Sequence, residues 1–213
     1  MAIAIFDLDN TLVDRDAAFL RWCGRFIRDQ SLDEKALDAL LRADGGGFRD
    51  RAEFVGELCS SFALSREPAQ LLEWFWATFP PLFTPEDGVV EGLVALRRAG
   101  WTVGVATNGG PYQRAKLEAA GLERLVDVVC ASAVEGVAKP DRRLLDLVAE
   151  RQGGSLGPAD WMVGDADVDV LAGRNAGVRT AWVRRGRTWA LDEYQPDLHA
   201  TTTESAIAAI LDG

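Results

Sequence analysis

The stretch Ala2-Ile3-Ala4-Ile5-Phe6-Asp7-Leu8-Asp9-Asn10-Thr11-Leu12 decides how the rest of the chain is read. Five apolar residues run without a break and stop at an acid. So short a run with so abrupt a polar end is the mark of a strand buried on both faces, as in a parallel sheet. Similar runs recur at Thr102 to Ala106, Val126 to Ala131, Trp161 to Val163 and Thr180 to Val183. Helical patterns separate them, at Val90 to Ala99, Tyr112 to Ala120, Arg142 to Arg151 and Asp167 to Ala176. Strand and helix in alternation predict an α/β core whose parallel sheet has helices on both faces.

Residues 15–84 interrupt that alternation. Ala17 to Arg28, Asp33 to Leu41, Arg51 to Phe62 and Glu67 to Phe79 read as amphipathic helices, with Gly45-Gly46-Gly47 between the second and third. Pro80, Pro81 and Pro85 close the segment. The expectation is a helical domain, residues 15–84, inserted into a core made of residues 1–14 and 85–213. Trp74-Phe75-Trp76 and Phe79 read as the core of that insert rather than a stacking surface.

Composition narrows the function. The 213 residues carry a formal net charge of -10, with no long Lys/Arg run, which argues against nucleic acid and against anionic membranes as partners. No apolar stretch reaches the length of a membrane span. Cys23, Cys59 and Cys130 show no paired spacing and read as reduced thiols. The first residues lack the pattern of a signal peptide, so a cytoplasmic location is expected. His199, the one histidine, stands near a candidate last strand and reads as structural, and without a Gly-x-Ser-x-Gly elbow it makes no serine-hydrolase triad.

In open α/β sheets ligands sit beyond the carboxyl ends of the strands. Four strand ends here carry polar groups suited to that place. The first has Asp7 and Asp9. The second has Thr107-Asn108-Gly109-Gly110, a hydroxyl, an amide and flexible backbone N–H groups before a helix, which suits an anion. After the third comes Lys139-Pro140. The chain has 20 Arg but three Lys, so a Lys beside a candidate site points to a compact point charge. The fourth ends in Gly164-Asp165-Ala166-Asp167-Val168-Asp169, whose clustered oxygens suit a hard cation such as Mg²⁺.

These segments, in this order, resemble the haloacid dehalogenase superfamily, whose pattern is Asp-x-Asp-x-Thr, a strand-end Thr or Ser, a Lys, and Gly-Asp-x-x-x-Asp. The resemblance covers the core from Met1 to about Asp14 and from about Pro85 to Val183. It implies a Rossmann-like three-layer core of strand order 5-4-1-2-3, with the helical insert as a cap. It implies an aspartyl-phosphate formed on Asp7, with Asp9 as general acid and then base. Thr107, and backbone N–H groups near Asn108 and Gly109, would bind the phosphoryl group, and Lys139 would offset charge. Mg²⁺ would be held by Asp7, by the Asp9 carbonyl and by Asp165. Asp169 would orient Lys139 or a metal-bound water, and Asp167 would be structural. In the insert, the loop Arg42 to Arg49 is the candidate for substrate selection, with Arg49 as its binding residue. The plain alternative for that loop is a flexible connector. Asp14-Arg15 and Thr84 to Gly88 would be hinges.

Asn10 stands where many relatives have Gly. Asn tolerates left-handed backbone, so the loop should survive the change. Arg142 replaces a second Pro after Lys139-Pro140. The activity expected is hydrolysis of a small phosphorylated metabolite such as phosphoglycolate, a sugar phosphate or a nucleotide. The alternatives are a phosphomutase on the same residues and a silent phosphate-binding module. A dehalogenase has no need of Asp9, and a phosphonatase would need a cap lysine, for which only Lys35 is available.

Overall fold

The computed structural model describes residues 2–213. The chain opens with β1 (Ile3–Phe6), every residue of which is buried. Four helices follow: α1 (Arg15–Asp29), α2 (Ala36–Asp44), α3 (Arg51–Ser61) and α4 (Pro68–Thr78). Then come α5 (Val89–Arg98), β2 (Thr102–Thr107), α6 (Gln113–Ala119), β3 (Val128–Ala131), α7 (Ser132–Glu135) and α8 (Arg143–Glu150). The chain ends with β4 (Trp161–Gly164), α9 (Asp167–Ala176), β5 (Arg179–Val183), β6 (Leu198–Ala200) and α10 (Thr203–Asp212). Two compact units result. Arg15–Phe83 forms one, and the segments up to Asp14 and from Thr84 to Gly213 form the other.

The second unit holds a six-stranded sheet of order β3-β2-β1-β4-β5-β6, and all five strand pairings are parallel. Its first five strands lie in the expected order. The sequence reading placed a last strand near His199, where β6 lies, without bounds, and did not identify the helix α10. β6 is three residues long, too short to show a period. β1 is central, flanked by β2 and β4 with Phe6 opposite both Val105 and Val163. That position explains its unbroken apolar run: no face of it meets water. Two helices pack so closely on the sheet that only glycine fits at each contact, on the strand under α8 and on α9 itself. A Cβ on Gly104 would lie 2.3 Å from Val148 Cγ1, and one on Gly173 would lie 2.6 Å from Thr180 Cγ2.

The loop after β1 is tightly built. The Leu8 carbonyl accepts from the N–H groups of Thr11, Leu12 and Val13 at 3.3, 2.9 and 3.1 Å. Asn10 adopts a left-handed φ of 61°, as its side chain allows. Beyond the loop, Val13 bridges Pro85, the Asp14 N–H donates to Thr84 O at 3.0 Å, and the Glu86 N–H donates to Leu12 O at 3.0 Å. Arg185 ties the same crossing together, pairing with Glu86 and lying 3.5 Å from Asp14. At the other end, the buried Thr203 hydroxyl at the start of α10 donates to Thr11 O at 2.6 Å.

The helical unit has an aromatic centre. Trp22, Phe26, Phe54 and Phe75 are fully buried, and Trp22 stacks on Phe26 at 5.1 Å and meets Phe75 edge-on at 5.0 Å. Phe75 is therefore core, as read, while Trp74 flanks the cluster against Trp22 and Phe26. Gly45–Gly47 forms a 3₁₀ turn around a buried ion pair. Arg15 grips both oxygens of Asp44 at 2.5 and 2.6 Å, and Arg51 adds a bond to Asp44 at 2.7 Å and one to the Gly47 carbonyl at 2.7 Å. Gly47 has φ 93°, and a Cβ there would lie 2.5 Å from Arg15 Nε. The turn is thus a built element, not a slack connector. The three cysteines are free thiols, and burial pushes the Cys23 thiol up to about 12. Among the described residues no helix is long and apolar enough to cross a membrane.

Candidate active site

The carboxyl ends of β1, β2 and β4 bring the strand-end residues together. Asp7 follows β1 directly and its N–H donates to Val163 O at 2.8 Å, so β4 continues to fix it after pairing ends. Its side chain is buried against Lys139, whose Nζ donates to Asp7 Oδ1 at 2.6 Å. Lys139 Nζ also lies 2.6 Å from Asp169 Oδ1. The other Asp169 oxygen accepts from the Ala166 N–H at 3.0 Å, which closes the first turn of α9. Asp169 thus locks the ammonium from behind while Asp7 faces it in front. Gly164 is what lets Asp169 lie there, since a Cβ on it would sit 2.2 Å from Asp169 Oδ2.

Asp7, Asp165 and Asp169 each offer an oxygen within 4.8 Å of the others. Burial, then the charges of Asp7 and Asp169, push the Asp165 carboxyl up to about 8, although Arg187 opposes this. Burial likewise raises Asp7 to about 6, against the pull of Lys139. Burial also works against the Lys139 charge, but Asp169 and Asp7 overcome it and hold the ammonium above its ordinary range. Three clustered carboxylates face one buried lysine and a half-exposed arginine. That is an excess of negative charge with hard oxygen donors, and it fits a divalent cation such as Mg²⁺.

Asn108 and Gly109 are placed beside the cluster, with the Asn108 side chain and the Gly109 N–H already engaged. Asn108 Nδ2 donates to Lys139 O at 3.0 Å, and its Oδ1 accepts from the Lys139 N–H at 2.9 Å. The side chain thus pins the Lys139 backbone at two points. The Gly109 N–H donates to Ser132 Oγ at 3.0 Å. Arg49 lies in the helical unit and pairs with Glu57 there. Asp167 caps its own helix start, its Oδ1 accepting from the Val168 N–H at 2.9 Å. His199, on β6, meets Trp182 edge-on at 5.7 Å.

Three residues that the sequence reading passed over reach the cluster. Arg187 donates to both the carbonyl and Oδ2 of Asp165, at 2.7 and 2.9 Å. Gln113 Nε2 donates to Thr107 Oγ1 at 2.7 Å, both residues being buried. A hydroxyl has one proton to give, so a lone pair taken by Gln113 leaves that proton for another acceptor. Lys116 Nζ grips both oxygens of Asp9, at 2.8 and 2.5 Å. A signal for two of these was present. Gln113, Lys116, Leu117 and Ala120 stand at i, i+3, i+4 and i+7 and are all buried, so two polar residues occupy an otherwise apolar stripe.

The parallel sheet, its strand order and a carboxylate cluster at its carboxyl edge define a class, the Rossmann-like α/β proteins with an acidic site at the strand ends. The chain belongs to the haloacid dehalogenase-like hydrolases, on their phosphatase branch, and the family's model matches residues 4–183. It is 32% identical over 189 residues to the pyrimidine 5'-nucleotidase YjjG of Escherichia coli, covering 84% of each chain. It is 32% identical over 202 residues to a phosphoglycolate phosphatase of Agrobacterium fabrum, covering 92% of this chain and 86% of that protein. In fold it is similar to the HAD-hydrolase YfnB of Bacillus subtilis, whose crystal structure was solved bound to magnesium. The TM-score there is 0.79 at 21% identity, over 98% of both chains.

Proposed function

We propose that this enzyme is a Mg²⁺-dependent phosphatase that hydrolyses a small phosphorylated metabolite through an aspartyl-phosphate on Asp7. The observation that carries the proposal is the buried Asp7 at the end of β1, paired with Lys139 and set among Asp165 and Asp169. The curated relatives named above act, by their names, on a pyrimidine nucleotide and on phosphoglycolate. Both are small phosphate monoesters, and the substrate class proposed here is the same: phosphoglycolate, a sugar phosphate or a nucleotide. The residues operate in the cytoplasm on this reading.

An oxygen of Asp7 attacks phosphorus and the bond to the leaving oxygen breaks. Asp9 gives that oxygen its proton. Water then attacks the phosphorus of the aspartyl-phosphate, Asp9 takes the water's proton, and phosphate leaves with the Asp7 carboxylate restored. Lys139 offsets charge on Asp7 and on the phosphoryl oxygens throughout. Thr107, with Gln113 on its lone pair, donates to a phosphoryl oxygen. Asp7, Asp165 and the Asp9 carbonyl would hold Mg²⁺, and Asp169, whose oxygens serve Lys139 and Ala166, supports from behind. The ion, when bound, neutralises the carboxylates and the phosphoryl oxygens so that two anions can meet.

The test is phosphate release from a panel of phosphorylated metabolites and aryl phosphates. Release that needs Mg²⁺, stops with EDTA and disappears in Asp7→Asn is expected. A purified, folded protein that frees no phosphate from the whole panel with Mg²⁺ present would sink the reading.

A further inference from the structure

The chain spends its lysines sparingly. It has 20 Arg and three Lys, and the 20 Arg include most of its surface ion pairs. Lys35 lies in the helical unit. The other two lysines pair with the two acids of the β1 loop, Lys139 with Asp7 and Lys116 with Asp9. The Lys116 side chain is only 7% exposed and that of Asp9 25%. An ammonium drawn into a helix stripe that should be apolar loses hydration that its partners must replace. An ordinary core would fill the position with Leu or Met.

We propose that Lys116 is a positioning residue for the phosphatase reaction, holding the Asp9 carboxyl group at one place and one rotation beside Asp7. The proposal rests on the reading of Asp9 as proton donor and acceptor. The geometry supplies the reason. Nζ sits within 2.8 Å of both Asp9 oxygens, so rotation about the Cβ–Cγ bond would break one contact or the other. The backbone of Asp9 is held separately, by its bridge to Val13. Anchored at both ends, the side chain cannot swing. The reaction calls on Asp9 twice, once to protonate a leaving oxygen and once to deprotonate water, and both atoms occupy the same side of the phosphorus. A misplaced carboxyl group therefore slows both halves. Lys116 itself exchanges no proton with the substrate. The same turn of α6 carries Gln113 on Thr107, so one helix aligns both groups.

The experiment is a leaving-group series, alkyl phosphates through phenyl phosphate to p-nitrophenyl phosphate, run with Mg²⁺ on the full-length wild type and variants. Lys116→Met should lower kcat/KM about 10- to 100-fold on alkyl phosphates, whose leaving oxygen needs the proton, with KM within about 2-fold. On p-nitrophenyl phosphate, which leaves without help, the loss in kcat/KM should shrink to about 3-fold or less, while kcat still falls because the water step needs Asp9. Lys116→Arg, which keeps the charge, should recover most of the activity. In an Asp9→Asn background, Lys116→Met should add no further loss. A loss in kcat/KM equal across the series, a loss in KM alone, or additive losses in the double variant would overturn the inference. If Lys116→Met melts poorly by circular dichroism, Lys116→Gln takes its place under the same criteria. Wild type that frees no phosphate defeats the phosphatase reading itself, whereas an active wild type with flat variants defeats only the role of Lys116.

Discussion

Gly164→Ala puts the packing behind Lys139 to a severe test. The added Cβ would lie 2.2 Å from Asp169 Oδ2, 2.4 Å from its Cγ and 2.5 Å from its Cβ. Neither side has room to give. Gly164 is paired with Trp182 in the sheet, and Asp169 is 1% exposed and held at once by Lys139 and the Ala166 N–H. Overpacking of this kind costs about 1–3 kcal/mol, and more where relief breaks a buried ion pair. For a chain of this size each kcal/mol moves Tm by roughly 2–4 °C, so a fall of roughly 2–12 °C is expected. Activity should fall as well, because a displaced Asp169 no longer orients Lys139 against Asp7. Gly157→Ala is the control, as its Cβ would meet nothing within 4 Å and should move stability by less than about 0.5 kcal/mol. Melting followed by circular dichroism, with kcat on an aryl phosphate, reads both effects. A Gly164→Ala protein that melts and turns over like wild type would show that Asp169 moves aside freely, and the account of the Gly-Asp-x-x-x-Asp segment would fail.

Other expectations follow from the same geometry. Asp7 and Asp165 have native values raised to about 6 and about 8, above the ordinary value of 3.8, so the native state without cation binds more protons than the unfolded chain. Their contribution is thus present at low pH and lost as pH rises from about 4 to about 8. Added Mg²⁺ should raise Tm more at pH 8 than at pH 5, and an equal gain at both would contradict the charge excess described. Gln113→Ala frees the Thr107 hydroxyl to turn, and kcat should drop about 10-fold with little change in Tm. An unchanged kcat would rule out that alignment. Phe75→Ala removes the ring that Trp22, Phe54 and Phe79 pack on, at about 3–5 kcal/mol to the helical unit in a melting or denaturant curve. A loss under about 1 kcal/mol would mean the aromatic cluster collapses to fill the gap.

Much of the site was legible because its residues come at chain positions that topology controls. An apolar run that stops at an acid places Asp7 and Asp9 at a strand end whatever the packing, and the same holds for Thr107 and for Asp165. Parallel strands need crossovers, so the order of runs and helices implies which ends converge. The edge strand β6 was legible only by its place near His199 and α10 was not legible, since three residues show no period and α10 is tied to Thr11, far away in the chain. Asn108 and Gly109 were read as phosphate donors because a Gly-rich strand end resembles an anion site. Folding engages the Gly109 N–H with Ser132 and the Asn108 side-chain amide with Lys139, partners that lie 23 and 31 residues on, and neither bond uses the Asn108 backbone N–H.

The strand–helix alternation, the helical insert and the four strand-end motifs follow from the sequence alone, because local periodicity and an abrupt change of polarity determine them. Which charge meets which was decided only by the tertiary structure. Asp7 faces Lys139, 132 residues away, and Asp9 faces Lys116, 107 residues away. Helical spacing flags a lysine within an apolar stripe, but no pattern along the chain names the acid it meets. The partners are set when α6 lays Gln113 and Lys116 against Thr107 and Asp9, and when Gly164 leaves Asp169 just enough room to stand behind Lys139.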